Sequence, residues 1–334
     1  MYRLFTCLML LFLTSLANAS EPIAAWPHKT YYRSIEIDGQ HTFYREAGDA
    51  SRPTLLLLHG FPSSSHTYRE LIPLLSGHYH IIAPDYLGSG YSAPLAPQQA
   101  PYTFDRLAEH IAAFTERLGL RQYSLYIQDF GAPVGFRLMQ LQPERLQALV
   151  VQNANAYLQG LTPTRLTFFE QAHRDRSAAN LLRLYGLTTA EGVINQQYLR
   201  DVAMHPERIS PDAWTHDLLT LAEPSRQQAQ VQLFQDYWKS IEAYPQWQAF
   251  LRKRQPPTLV VWGQNDPAFV SDGALAYRQD LPAAQIHLID AGHFAVEEQP
   301  VVIAQHVVGF MQGLEQQGHL ATTSNTPDAI TGVP

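Results

Sequence analysis

The chain has 334 residues, 46% of them hydrophobic and 16% charged, and a formal net charge of −7. That much apolar material fills one large core, or one core with an inserted subdomain. The acidic balance and the lack of a long basic run count against nucleic-acid binding, and the mild negative charge serves solubility.

The chain starts MYRLFTCLMLLFLTSLANAS, with Arg3 ahead of an apolar stretch from Leu4 to Leu16 and then Ala17-Asn18-Ala19. This order predicts an export signal over residues 1–19, cleaved after Ala19. The apolar stretch is shorter than the roughly 20 residues a spanning helix needs, so no stable membrane anchor is expected. The protein is then expected in the periplasm or the medium. Cleavage would also remove Cys7, the single cysteine. Disulfides, thiol nucleophiles and cysteine metal sites would all be excluded, which suits an oxidising compartment.

Strand-like and helix-like segments alternate from residue 29 to 155. TLLLLHG, HIIAPD, YSLYIQD and LQALVVQNA are apolar runs that end in polar or small residues, as expected of strands buried on both faces. Between them, Phe104, Leu107, Ile111, Phe114 and Leu118 form one apolar helix face, with Thr103 as its N-cap. Residues 156–255 break the alternation with helical pattern, many Gln and Arg, and clustered aromatics. They predict a helical cap inserted over the strand ends. TLVVWGQND restarts the sheet, and the core resumes over residues 256–314. Residues 315–334 turn polar and read as a disordered tail. The expected fold class is α/β: a mostly parallel sheet with helices on both faces and an inserted helical lid. Ligands of such sheets bind beyond the carboxyl ends of the strands, where His59, Asp85, Asp129, Asn153 and Asp266 fall.

Three stretches carry chemistry. In LHGFPSSSHTYREL, Gly60 permits a tight turn that points the Phe61 amide into the cleft, before a helix capped within Ser63–Ser65. In YIQDFGAPVGF, Asp129 stands between an apolar run and a helix start, with small residues Gly131 and Ala132 behind it and Pro133 in the first turn. Ile127 stands where glycine is usual in such turns. An isolated Asp there would ordinarily be a helix cap. In VVWGQNDPAF and IHLIDAGHFAVEEQP, Asp266 and His293 follow the last two expected strands. The order nucleophile, acid, histidine matches that of hydrolases with a nucleophile on a strand-to-helix turn. His78-Tyr79-His80 reads as a solvated turn, and GSGYS lacks the strand-then-helix context of a phosphate loop, so neither metal nor cofactor is expected.

HGFPSSSHTYREL, IIAPDYLGSGYS, YIQDFGAPVGF, NDP and DAGHF together resemble the α/β-hydrolase superfamily, in its aspartate-nucleophile branch of epoxide hydrolases and haloalkane dehalogenases. The resemblance covers roughly residues 33–314 and is more specific for fold and triad than for substrate. It implies Asp129 as nucleophile, His293 as general base and Asp266 as the orienting acid. It also implies an oxyanion hole from the Phe61 and Phe130 amides. An aspartate attacks saturated carbon and forms an ester on itself, which water then cleaves. The substrate is therefore expected to be a small apolar epoxide or halide.

Relatives that release halide usually supply a tryptophan directly after the nucleophile, where this chain has Phe130. Trp214, Trp238 and Trp247 lie in the cap and could each offer an N–H, as could Asn153 and Asn155. Epoxide hydrolases use cap tyrosines to protonate the ring oxygen, and Tyr237 in LFQDYWKSIEAYPQW is the expected donor, with Tyr157 or Tyr185 as a second. His59, Tyr157, Tyr185, Asn153 and Trp238 are the expected substrate contacts. Epoxide hydrolysis is the preferred expectation and C–halogen hydrolysis the alternative. An esterase or lactonase, or a non-catalytic binding protein of the same fold, is weaker. The oligomeric state is not legible.

Overall fold

The computed structural model describes residues 29–96, 101–202 and 205–320. The expected export signal and all but the first residues of the expected tail lie outside the described residues. Eight strands form one sheet in the order β1-β2-β4-β3-β5-β6-β7-β8. They are β1 (Tyr31–Ile37), β2 (Gln40–Ala47), β3 (Thr54–Leu58), β4 (His80–Pro84), β5 (Tyr123–Gln128), β6 (Leu146–Gln152), β7 (Thr258–Gly263) and β8 (Gln285–Ile289). β1 and β2 pair antiparallel, as do β2 and β4, and every other pairing is parallel. Asp38 and Gly39, both left-handed, make the two-residue hairpin that joins β1 to β2.

β3, β4, β5 and β7 are buried at every position because helices cover both faces. The pleat sends alternate residues to opposite sides. Leu56 and Leu58 pack with α2 (Phe104–Arg117) and α3 (Gly131–Leu141), while Leu55 and Leu57 pack with α1 (Leu71–Leu75) and α10 (Pro300–Gln316). α2 begins as its sequence predicts, with the Thr103 hydroxyl accepting from the Arg106 amide at 3.2 Å. α10 runs to Gln316, two residues into the expected tail. His80 corrects the reading of a solvated turn. It is buried, bonded to Thr54 at 3.0 Å and Glu46 at 3.1 Å, and it ties β4 to β2 and β3.

No strand lies between β6 and β7 among the described residues. That interval holds α4 (Pro163–Arg174), α5 (Ala178–Gly186), a π-helical turn at Glu191–Tyr198, α6 (Pro211–Leu221) and the 31-residue α7 (Pro224–Arg254). α7 joins this cap to the core, with Trp247 stacked on Phe136 of α3 at 4.7 Å. No helix among the described residues is long and apolar enough to cross a membrane. β3 sits between β4 and β5, so the chain leaves β3 to one side and crosses to the other after β4. The crevice above the ends of β3 and β5 is where Phe61 and Asp129 meet.

Candidate active site

Asp129 caps β5 in the left-handed region, with φ of 51°. A side chain held there is strained, and close packing must hold it. Its neighbours are small where the contact is closest. A Cβ on Gly60 would stand 2.4 Å from the Asp129 Cβ, and one on Gly131 would stand 2.3 Å from the Leu58 carbonyl oxygen. Ile127 is tolerated because the facing residue is Gly135, where a Cβ would meet its methyl at 2.5 Å. The Phe61 N–H donates to Asp129 Oδ1 at 2.8 Å. Asp129 Oδ2 lies 3.4 Å from His293 Nε2.

His293 Nδ1 meets Asp266 Oδ2 at 2.6 Å. Asp266 has no exposed side-chain surface, and the Ala268 and Phe269 amides donate to its Oδ1 at 2.7 and 3.0 Å. Burial opposes its ionisation, but His293, Arg200 and the Phe269 amide outweigh burial and hold its pKa below the usual carboxylate range. Burial likewise opposes a charged His293. Asp266 first, then Asp129, overcome that and push its pKa up to about 10. The neighbouring Asp266 and Asp129 side chains thus favour the protonated imidazole.

The residue after β6 supports this arrangement. Asn153 is also left-handed, with φ of 44°, and its carbonyl accepts from the Asp129 amide at 3.3 Å. Its Nδ2 donates to Asp266 Oδ2 at 2.9 Å, and its Oδ1 accepts from the Gly263 amide at 2.9 Å. Gln152 donates to the His293 carbonyl at 3.2 Å. From the cap, Asp201 accepts from the His293 amide at 3.1 Å and is itself held by Arg200 at 2.7 Å.

A narrow cavity opens beside Asp129. Its free space is about 30 Å³, room for a couple of waters. The core supplies Phe61, Asp129, Phe130, Ala268, Phe269 and His293. The cap supplies Arg165, Phe169, Leu187, Gln197 and Phe234. Among the described residues, no group of three or more His, Cys, Asp or Glu side chains is placed to share a metal ion.

Five of the expected substrate contacts do not line this cavity. His59 is neutral and buried, accepting from the Tyr86 amide at 3.2 Å while its Nδ1 meets the Gly60 carbonyl, so it holds the loop. Asn153 is committed to Asp266. Tyr157 donates to Asp280 at 2.7 Å, beneath the cap. Tyr185 lies half-buried on α5, packed against the core rather than the cavity. Trp238 turns outward and donates to Glu242 at 2.8 Å. Trp214 packs near Tyr198 at 6.2 Å, and Asn155 donates to the Gly160 carbonyl at 3.3 Å. Tyr237 sits one layer behind the cavity wall, stacked on Phe169 at 4.0 Å and 5.6 Å from the Phe130 ring. Its buried hydroxyl has no well-formed hydrogen bond. Sequence reasoning missed Arg165, Gln197, Asp201 and the paired Asn153–Gln152 support. No motif marks the cap residues, whereas the polar end of LQALVVQNA carried a usable sign.

A family model described as alpha/beta hydrolase fold matches residues 53–300. The chain belongs to the α/β-hydrolase family. It is 40% identical over 283 residues to an uncharacterized hydrolase of Saccharomyces cerevisiae, covering 83% of this chain and 96% of that protein. It is 29% identical over 297 residues to a haloalkane dehalogenase of Mycobacterium marinum, covering 86% and 95%. Among solved structures, the epoxide hydrolase CorEH superposes with a TM-score of 0.69 at 17% identity, covering 86% of this chain and 100% of that one. The last likeness speaks for the fold alone. This α/β hydrolase thus has a relative named for dehalogenation and shares its fold with an epoxide hydrolase, and it is an enzyme of the hydrolase class.

Proposed function

We propose that this hydrolase works through a covalent ester on Asp129 and that its electrophile is a small epoxide. The observation that carries the reading is the line Asp129–His293–Asp266, at 3.4 and 2.6 Å, with the Phe61 amide on the other oxygen of Asp129. A serine at residue 129 would attack carbonyl carbon, but a carboxylate attacks saturated carbon. Oδ2 attacks the ring carbon and the C–O bond of the ring breaks. The ring oxygen takes a proton from Tyr237, leaving a phenolate, and an alkyl ester forms. Oδ1 remains the carbonyl oxygen beside the Phe61 amide, with the Phe130 amide next in the chain.

Esterification removes the Asp129 charge that helps hold the His293 proton. The imidazolium then passes that proton to the Tyr237 phenolate, and neutral His293 deprotonates a water that attacks the ester carbonyl. The Phe61 and Phe130 amides stabilise the resulting oxyanion. Collapse releases the diol and restores Asp129, so the net change is addition of one water. Asp266 holds the ring orientation and balances the charge throughout.

Tyr237 supports the epoxide. Its hydroxyl faces that of Tyr244 without a well-formed hydrogen bond, and burial, then Tyr244 and the Asp129 charge, raise its pKa well above 10, so it stays a neutral donor. It lies behind Phe169, which would have to turn aside for Tyr237 to reach the cavity. The cap tryptophans Trp214, Trp238 and Trp247 pack elsewhere and do not line the cavity. A C–halogen substrate is the second reading, favoured by the buried Gln197 side chain, which lines the cavity with no hydrogen-bond partner among the described residues.

The test is a His293→Gln variant incubated with terminal epoxides and with haloalkanes. The epoxide reading expects a mass increase on the peptide carrying Asp129 with epoxides, and a diol from the wild type. Halide release with the same adduct would move the assignment to dehalogenation. No adduct from either set would sink the ester mechanism. The reading includes export, on the strength of the pattern in residues 1–19. N-terminal sequencing of the secreted or periplasmic protein should begin at Ser20, and an intact Met1 terminus would refute it.

A further inference from the structure

Among the described residues, Arg165 is the one cation of the cap that lines the cavity, and neither the ester mechanism nor ring opening needs it. It stands in the first turn of α4, behind the N-cap Thr162, where a positive side chain gains nothing from the helix dipole. Its guanidinium lies 5.4 and 6.0 Å from the Phe168 and Phe169 ring centroids. It makes no hydrogen bond and no ion pair with any described residue. Burial and the nearby Arg200 both work against its charge, while Asp266 and Asp129 act on it only at a distance. A guanidinium carries five donors and stays charged, and here it is half-buried beside two rings, with its donors free to meet a ligand in the cavity.

The other charges here are already matched. His293 stands between Asp266 and Asp129, and Arg200 holds Asp201. Among the described residues, the Arg165 guanidinium meets only the Phe168 and Phe169 rings and no carboxylate. Once Asp129 is esterified, the cavity loses its only lining carboxylate and keeps Arg165. Gln197, also uncommitted, adds an amide N–H on the same wall.

We infer that the substrate carries its own carboxylate, which pairs with Arg165 while the electrophilic carbon faces Asp129. A fork of parallel N–H donors matches a carboxylate in two-point contact. The small free space fits a compact acid, such as an oxirane carboxylate or a short halogenated acid, better than a long apolar chain. This revises the expectation of a small apolar substrate, and it rests on the ester reading above.

The test compares charged and neutral electrophiles of one shape: glycidate with glycidamide, and chloroacetate with chloroacetamide. The wild type is expected to favour the carboxylate in kcat/KM. In Arg165→Met the carboxylate-to-amide ratio should fall by about 100-fold, the scale for losing one partner of a buried charge pair. Arg165→Lys should recover part of it. Equal selectivity in wild type and Arg165→Met would overturn the inference. A binding arm needs no turnover: propionate should raise the melting temperature of the wild type and not of Arg165→Met. Identical shifts in the two, or none in either, would overturn it as well. Adducts on Asp129 in the His293→Gln variant from the amides alone would leave the ester mechanism standing and remove this proposal. Circular dichroism of both Arg165 variants separates lost recognition from lost folding.

Discussion

The two walls of the cavity are built on different rules. On the core side, nearly every polar atom is committed. Asp129 is held by the Phe61 amide, Asp266 by two amides and Asn153, and His293 by both carboxylates. These residues sit at strand ends, where the sheet fixes the backbone to either side. On the cap side, Arg165 and Gln197 are uncommitted, Tyr237 waits behind Phe169, and the rest of the wall is apolar. A preorganised wall performs a reaction shared by many substrates. A wall with unspent donors chooses among them.

That contrast predicts a graded set of losses. Asp129→Asn should abolish turnover, by at least about 10⁴-fold as for other nucleophiles, with no ester found by mass spectrometry. Residual activity above that level would mean a different nucleophile. Asp266→Asn should lower kcat by roughly 10²- to 10⁴-fold, because the imidazole loses its orienting charge. Single-turnover kinetics should place that loss in ester cleavage rather than ester formation.

Cap changes should act on selectivity instead. Tyr237→Phe should slow epoxide opening by roughly 10²-fold, the usual worth of a positioned proton donor, and spare halide release. If both reactions fall together, Tyr237 is packing and not a donor. Asn153→Ala should cost about 1–3 kcal/mol in urea unfolding, since Asp266 and the Gly263 amide lose a buried partner. A neutral result would show that water replaces it.

A separate test lies in the pH dependence of stability. His293 is raised to about 10 in the folded chain, against about 6.5 when unfolded. Its contribution is therefore complete below pH 6.5 and is lost as pH rises through about 10. Urea midpoints of His293→Gln should fall less steeply than the wild type across that window. Parallel slopes would mean that the imidazole is neutral at rest.

The strands, the Thr103 cap and the strand-end positions of Asp129, Asp266 and His293 were legible because each has a local signature. A run of apolar residues closed by a polar or small one marks a buried parallel strand wherever it lies. His59 and Asn153 show the limit of that rule. Both stand at strand ends, yet one props a loop and the other grips an acid. Position in a strand says that a residue is near the crevice, and not which way its hydrogen bonds run. His80 was misread for a related reason, since its partners Thr54 and Glu46 come from other strands.

The amino-acid sequence by itself determined the sheet, the inserted cap and the carboxylate at the turn after β5, because backbone periodicity and turn chemistry act over a few residues. Only the tertiary structure decided which cap residues face that carboxylate. Helical segments of similar composition can turn any face inward, and packing against the core chose Arg165, Phe169 and Gln197 over Trp238, Tyr185 and Tyr157. Packing brings the Arg165 guanidinium to that face, where the proposed substrate carboxylate would meet it.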